Sequence, residues 1–178
     1  AHVASAFNQD LCDLAVHSVT DMSYMFRGAS SFDQDIGDWA VQSVTDMSYM
    51  FYDASAFDQD IGGWSVGAVI DMEGMFHGAS SFNQDIGDWA VQSVTIMKDM
   101  FNGASAFDQD IGGWAVHSVT DMYSMFYGAS AFDQDLGWCV GDGVSLSSAF
   151  DNTQCELTLC GVSWRAAVRC GGNGGTVD

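Results

Sequence analysis

Residues 18–42 read SVTDMSYMFRGASSFDQDIGDWAVQ, and this 25-residue unit recurs along the chain with few changes. All ten Met and all twelve Phe residues of the protein fall on four positions of the unit. A fixed period of about 20–50 residues is typical of repeat proteins, in which one unit cannot bury its own apolar face and stacks on the next. The period therefore predicts a repeat solenoid with a single elongated core.

Each unit contains two apolar patterns. Residues 44–51 space their apolar side chains like one face of a short helix, and glycines such as Gly28 stand where that helix would end. Residues 31–36 are expected to form a strand whose Phe and Ile side chains point inward before a turn at Gly37. We therefore predict a leucine-rich-repeat-like solenoid with one short strand and one short helix in each turn.

We expect two regions along the 178-residue chain. Residues 1–152 are predicted to form a solenoid of about six 25-residue repeats, and residues 153–178 a Cys-rich C-terminal cap with a Gly-rich tail. The last turn lacks one residue, and Leu146 and Ala149 replace its Met pair, as in repeats that close an array. The chain opens in mid-repeat without an initiating Met, so we expect a mature or trimmed piece of something larger.

Four cysteines, Cys139, Cys155, Cys160 and Cys170, cluster towards the C-terminal end. Four cysteines allow three disulfide pairings, of which we favour Cys139–Cys155 because that bond would staple the cap. The alternative is a zinc site, but the cluster has neither a CxxC pair nor a nearby His. Disulfides form in oxidising compartments, so the cysteines predict a secreted protein or an extracellular surface location.

A fifth cysteine, Cys12, replaces the turn glycine that later repeats carry at positions such as Gly37. At β-stack spacing it lies roughly 20–25 Å from the cap, whereas a disulfide needs Cα atoms within about 7 Å. An odd cysteine in a secreted protein indicates a free thiol or a bond to another chain. We predict that Cys12 lies at an interface with a partner, such as another copy in a head-to-tail fibre. The alternative is pairing with an upstream segment.

The chain is strongly acidic, with 24 acidic residues, four basic residues and a formal net charge of -20. Such a field repels nucleic acid and anionic lipid and attracts cations or basic proteins. No apolar run approaches the ~18–20 residues that span a bilayer. We therefore expect protein partners, with glycans as a further option, and neither nucleic-acid binding nor membrane insertion.

Aspartates repeat in register and suggest a cation site. The candidate ligands are Asp35, Asp60, Asp85 and Asp110, which share one position of the unit. Like charges ~5 Å apart repel by about 1 kcal/mol even in water, and bound Ca²⁺, which takes six to eight oxygens, would relieve this repulsion. The alternative is that each Asp caps its own turn. Ca²⁺ is therefore the cofactor that these Asp columns suggest, although neither an EF-hand nor a Gly-rich Ca²⁺ repeat is present.

Glutamines and serines also recur in unbroken columns, from Gln9 to Gln134 and from Ser5 to Ser130. We expect them to hydrogen bond along the solenoid axis, which satisfies polar groups between turns. No G-x-S-x-G nucleophile motif is present. The sequence predicts no catalytic residue and no enzyme activity.

Five tyrosines occupy variable positions beside the Met-Phe pairs. They are Tyr24, Tyr49, Tyr52, Tyr123 and Tyr127. Arg27, His77 and Lys98 stand nearby, and Tyr and Arg are enriched in protein interfaces. Exposed aromatic rows also stack on sugars, while the alternative is that these tyrosines are ordinary surface residues.

The unit VTDMSxMFxGASSF(N/D)QDIGxW resembles the repeat of the BspA-like leucine-rich-repeat surface protein family. It is similar to the 25-residue repeat of bacterial surface lipoproteins and of secreted proteins from algae and other protists, over about residues 4–162. The Gly-Trp-Cys-Val stretch with Cys155 and Cys160 resembles the C-terminal cap of algal members. Residues 11–14 and 165–178 depart from the pattern. The resemblance implies an extracellular adhesion or interaction protein with a solenoid fold and without catalytic residues.

These features together predict a non-catalytic, extracellular structural or adhesive interaction module. It is expected to belong to a cell-surface or filamentous assembly of the same or other subunits. The alternative is a Ca²⁺- or carbohydrate-binding module that uses the stacked Asp columns or the exposed Tyr row.

Overall fold

The computed structural model describes residues 5–11 and 14–165. Regular secondary structure is sparse within these ranges. In chain order it comprises a 3₁₀ helix at Val116–Ser118, strand β1 at Cys139–Val140, a kinked 3₁₀ segment at Glu156–Gly161 and strand β2 at Ser163–Trp164. β1 and β2 pair in parallel. None of the helices in these ranges is long and apolar enough to cross a membrane.

Successive repeats stack through isolated parallel bridges, one for each repeat. Asp21 pairs with Asp46 and Asp46 with Asp71, and the series continues through Ile96, Asp121 and Ser145. Partners are 25 positions apart except for the last pair, which is 24 apart because that turn is shorter. Each repeat therefore makes one coil of the stack, and the sequence period is the length of a coil.

The predicted short helix is wrong, because the first half of each repeat is a run of linked turns. The N–H of Tyr49 donates to the Glu73 carbonyl of the next coil at 2.7 Å, whereas the N–H of Met50 donates to Met47 at 3.2 Å. Tyr49 has a φ of 57°, in the left-handed region, where a right-handed helix cannot continue. An isolated two-turn helix is only marginally stable and leaves the N–H groups of its first turn unpaired. In this protein, alternate N–H groups instead donate to carbonyl oxygens of the next coil.

The expected strand over residues 31–36 is also wrong, because side chains rather than a backbone ladder join this part of each coil. The N–H of Asp58 donates to Asp33 Oδ1 of the preceding coil at 3.0 Å, and Gln59 Nε2 donates to the same oxygen at 2.8 Å. Only an acceptor oxygen is needed at this position. Asn83 therefore serves equally well and accepts from the N–H of Asp108 at 2.9 Å.

The core lies along the axis of the stack and is built from the columns that the repeat predicts. Phe51 stacks on Phe57 of its own coil at 4.0 Å between ring centroids and on Phe76 of the next coil at 5.6 Å. Trp64 and Trp89 are nearly parallel at 6.5 Å. These rings are buried, and large aromatic side chains dominate core energetics, so their stacking is the main apolar contact between coils.

The C-terminal end carries a disulfide, but the predicted Cys139–Cys155 pairing is wrong. Cys155 bonds to Cys160, with their Cα atoms 4.8 Å apart. Cys139 is also disulfide-bonded, and it lies in β1 opposite Ser163. Cys155 instead sits over the aromatic column, with Sγ 3.6 Å from the carbonyl oxygen of Phe132. The two cysteines occupy different positions of the coil, so they do not meet. Cys170 lies outside the described residues.

Residues 153–165 continue to cover the last coil. The N–H of Gln154 donates to Phe132 at 3.0 Å, and the N–H of Leu136 donates back to Cys160 at 2.8 Å. The N–H of Ser163 donates to Trp138 at 2.9 Å. This segment therefore supplies the hydrogen bonds that another coil would make.

Candidate interaction face

Three neighbouring positions of the unit vary among the repeats, and we call them the variable face; their side chains are exposed or half-buried except at Ser48, Gly74 and Ser124, which are buried. Their members are Ser23, Ser48, Glu73, Lys98 and Tyr123; Tyr24, Tyr49, Gly74, Asp99 and Ser124; and Arg27, Tyr52, His77, Asn102 and Tyr127. The positions between them are nearly constant and point inward, as the buried Met50 and Phe51 do between Tyr49 and Tyr52. The variable face thus consists of side chains whose identity is not fixed by packing in the core.

Three of the predicted tyrosines form one aromatic cluster on this face. Tyr24 stacks on Tyr49 with centroids 5.0 Å apart, and Tyr49 lies at a tilt 6.0 Å from Tyr52. Tyr52 stacks in turn on His77 at 4.4 Å. A Cβ atom at Gly74 would lie 2.7 Å from the Tyr49 ring, so the glycine leaves room for that ring.

Arg27 lies against this cluster. Its guanidinium carbon is 4.9 Å from the Tyr52 ring centroid and 5.5 Å from that of Tyr24, within the range of cation–π contacts. Within residues 5–11 and 14–165, Arg27 makes no ion pair, although the chain carries a net charge of -20. The rings hold the cation in place without neutralising it.

Lys98, the other basic residue of the face, is neutralised. Its Nζ lies 2.7 Å from Glu73 Oε1 and 3.9 Å from Asp99 Oδ2. Burial alone would raise the pKa of Glu73, but hydrogen bonds from Lys98 and Tyr49 outweigh it and lower that pKa. The hydrogen bond to Glu73 raises the pKa of Lys98, and burial together with the Glu73 hydrogen bond raises the pKa of Tyr49. Glu73 therefore links three consecutive coils.

Tyr123 and Tyr127 stand apart from the aromatic cluster. They are 43% and 42% exposed, and neither is part of the stack that runs from Tyr24 to His77. The five predicted tyrosines therefore form two groups, three in a preassembled cluster and two as exposed rings further along the face. Cys12, the remaining predicted interface residue, lies outside the described residues.

The candidate cation ligands each cap a local turn. Oδ1 of Asp35, Asp60, Asp85 and Asp110 accepts the N–H of the glycine two positions later, in each case at 3.0 Å. Carboxylates in this role satisfy backbone donors. In the described part of the chain, no three His, Cys, Asp or Glu side chains are placed to share a metal ion.

The serine and glutamine columns form ladders between coils, as expected. Ser55 Oγ donates to the Ser30 carbonyl at 3.3 Å, and Gln84 Nε2 donates to the Asp58 carbonyl at 2.9 Å. Equivalent contacts recur along the stack. These side chains therefore hold coils together and are not available as a separate site.

Comparison with known proteins identifies the family. The family model described as "Mycoplasma protein of unknown function, DUF285" matches residues 2–77 and again residues 59–158. The chain belongs to this family. The two DUF285 matches cover more than four-fifths of the sequence, and a model that matches one chain twice is typical of a repeat protein. No curated protein and no solved structure matches the chain.

Two important residues of the variable face in this DUF285 protein escaped the sequence analysis. Glu73 organises Tyr49 and Lys98, and Gly74 makes space for the Tyr49 ring. A signal for Glu73 was present, since it is one of only two Glu residues in the chain and precedes Lys98 by one repeat. The role of Gly74 has no local signal, because the ring that it accommodates comes from the preceding coil.

Proposed function

We propose that this DUF285 protein is a non-catalytic, extracellular interaction module, structural or adhesive, whose variable face binds its partners. The observation that supports this is that structural contacts between coils and sequence variation fall on different positions of the repeat. Constant polar positions such as Ser55 and Gln84 bond coil to coil, while the positions of the variable face carry different residues in different repeats. We further propose that the stack is a BspA-like, leucine-rich-repeat-related solenoid, as the sequence resemblance implies.

An extracellular location is supported by the cysteines. Cys155 and Cys160 are bonded to each other and Cys139 is also in a disulfide, and such bonds persist in oxidising compartments. Antibodies raised against the protein should label intact, non-permeabilised cells of the source organism. Labelling that appears only after permeabilisation would contradict the proposed location.

Assembly with other copies or subunits is supported by an exposed apolar tip. Leu157 is 99% exposed on the loop that the Cys155–Cys160 bond closes, where a contact would lose little conformational entropy. The predicted intermolecular role of Cys12 belongs to the same proposal. Non-reducing electrophoresis of native material should show a Cys12-linked species, and a monomer with a free Cys12 thiol would exclude that link.

The role of the variable face is tested with beads coated with the protein. We expect the beads to adhere to source cells, and the double variant Tyr123→Ser, Tyr127→Ser to reduce adhesion strongly, since aromatic side chains dominate binding energy. The matched control is Gln42→Ser, Gln92→Ser, which changes two exposed residues outside the variable face. Equal adhesion of all three proteins would overturn the assignment of the face.

A further inference from the structure

We propose that Arg27 and the Tyr24–Tyr49–Tyr52 cluster bind an acidic saccharide, with the guanidinium of Arg27 pairing with the carboxylate of a uronic acid. This inference rests on the proposed function and names the ligand class for one end of the variable face. It begins from the contrast between the two bases of the face. Lys98 is paired with Glu73 at 2.7 Å, and Arg27 is stacked on two rings without an acidic partner in the described ranges.

The guanidinium is prepared for an oxyanion. Arginine presents a planar fork of donors that matches a carboxylate in two parallel hydrogen bonds. Contacts to Tyr24 and Tyr52 hold this fork against two rings before any ligand arrives. Tyr52 is itself stacked on His77, with ring centroids 4.4 Å apart and the rings nearly parallel. Little side-chain freedom remains to be lost on binding, which favours affinity.

The rings beside Arg27 suit a sugar. Tyr24 is 42% exposed although Tyr49 stacks on its ring at 5.0 Å and the Arg27 guanidinium lies over it at 5.5 Å, so the ring keeps surface for a ligand. A pyranose has an apolar C–H face that packs on an aromatic ring and hydroxyl groups that bond at its edge. Tyrosine is amphipathic in the same sense, with an apolar ring and a polar tip.

A protein partner fits this end of the face less well. Protein hot spots are enriched in Trp, Tyr and Arg, but these side chains act in well-packed, fully desolvated pockets surrounded by further contacts that exclude water. In the described ranges the exposed large aliphatic side chains are Leu14, Ile70, Leu157 and Leu159, and none of them belongs to the variable face. The cluster offers stacking surface and a cation that has no acidic partner among the described residues, the combination that suits an acidic sugar ring.

The net charge of -20 limits which acidic saccharides can bind. At physiological salt the screening length is about 8 Å, so distant carboxylates contribute little and the adjacent Arg27 dominates. A short oligosaccharide interacts with the positive charge of Arg27 without lying against the surrounding acidic surface. The preferred ligand is therefore a short or terminal uronic acid segment.

The test is calorimetric titration with a panel of trimeric oligouronates, their neutral methyl esters and the peptide Glu-Glu-Glu. We expect at least one oligouronate to bind, and its ester and the Arg27→Ala variant to weaken binding by about tenfold or more, the loss typical of a charged hydrogen-bonded pair. Arg27→Lys should also bind more weakly because it keeps the charge but loses the fork. The control Arg165→Ala, which removes an exposed basic residue outside the variable face, should bind as the native protein does.

Several results would overturn the assignment. The first is that no oligouronate binds, and the second is that the methyl esters bind as tightly as the oligouronates. The third is that an Arg27→Ala variant with a native-like thermal melt binds as tightly as the native protein. The fourth is that Glu-Glu-Glu binds as tightly as the oligouronates. The last result would point to acidic protein partners instead. If bead adhesion still depends on the variable face while no oligouronate binds, the ligand class fails and the proposed function stands.

Discussion

The indole N–H of Trp64 donates to the carbonyl oxygen of Ile36 in the preceding coil, at 3.1 Å. The same bond recurs one repeat later from Trp89 to Ile61 at 3.2 Å. In the shortened last turn, Trp138 Nε1 is buried without a hydrogen-bond partner among the described residues. The chain therefore contains both a bonded tryptophan and its natural unbonded counterpart.

Trp64→Phe should destabilise the protein more than Trp138→Phe. The first change removes the indole donor from the Ile36 carbonyl, which keeps its bond from the Trp39 N–H, and the lost hydrogen bond costs about 1 kcal/mol beyond the loss of ring area. The second change removes similar area and no hydrogen bond. Urea unfolding of both variants measures the difference in free energy. Equal losses would show that the indole bond contributes nothing to stability.

Gly62→Ala should be strongly destabilising, whereas Gly63→Ala should not. A Cβ at Gly62 would lie 2.5 Å from the backbone oxygen of Asp85 in the next coil, whereas no atom of the described residues lies within 4 Å of a Cβ at Gly63. Overpacking of this kind lowers the free energy of unfolding by roughly 1–3 kcal/mol. Gly63→Ala should raise it by up to about 1 kcal/mol, because alanine reduces the conformational entropy of the unfolded chain. Asp38 occupies the Gly63 position in another repeat. Thermal melts that rank the variants in reverse would refute the coil register.

Asp71→Asn should stabilise the protein at neutral pH. Burial raises the pKa of the Asp71 carboxyl, and the negative charges of Asp46 and Glu73 raise it further. The hydrogen bond from the Glu73 N–H acts in the opposite direction but does not outweigh them. A raised carboxyl pKa means that the folded state is favoured at low pH and that this advantage is lost as the pH rises through the folded-state pKa. Asn keeps the acceptor that Glu73 N–H uses at 2.8 Å and removes the charge.

Melting temperatures at pH 7 and about pH 3 test this expectation, because the advantage of Asp71→Asn should shrink once the native carboxyl is protonated. The control is Asp71→Ala, which also removes the acceptor and should cost about 1 kcal/mol, as the loss of a cap does. A stability difference between Asn and the native Asp that is independent of pH would contradict the electrostatic explanation.

The double variant Cys155→Ser, Cys160→Ser should loosen only the C-terminal end. A disulfide across so short a loop contributes about 2 kcal/mol. Leu159 and Cys160 have φ values of 51° and 48°, a strained conformation that the bond helps to hold. Hydrogen exchange should rise around residues 132–162 and stay unchanged in the middle repeats, because each coil contacts only its neighbours. Exchange that rises uniformly would indicate one cooperative unit.

The core was predictable from the sequence because the repeat itself places each apolar residue. Columns such as Phe51–Phe76 and Trp64–Trp89 stack as the period requires, and the Ser and Gln ladders also follow. The backbone conformation was not predictable in the same way. The helix-like spacing of residues 44–51 is also satisfied by linked turns, and the left-handed Tyr49 with its bond to Glu73 decides between them.

The sequence by itself determined the coil length, the stacking order and which positions vary on the surface. Only the tertiary structure decided what the variable residues do, since their partners lie one coil away. Tyr49 meets Gly74 and Glu73, Lys98 is neutralised, and Arg27 rests on two rings without an ion pair in the described ranges. Local propensities act over a few residues, whereas contacts across a coil depend on how the stack aligns side chains 25 positions apart.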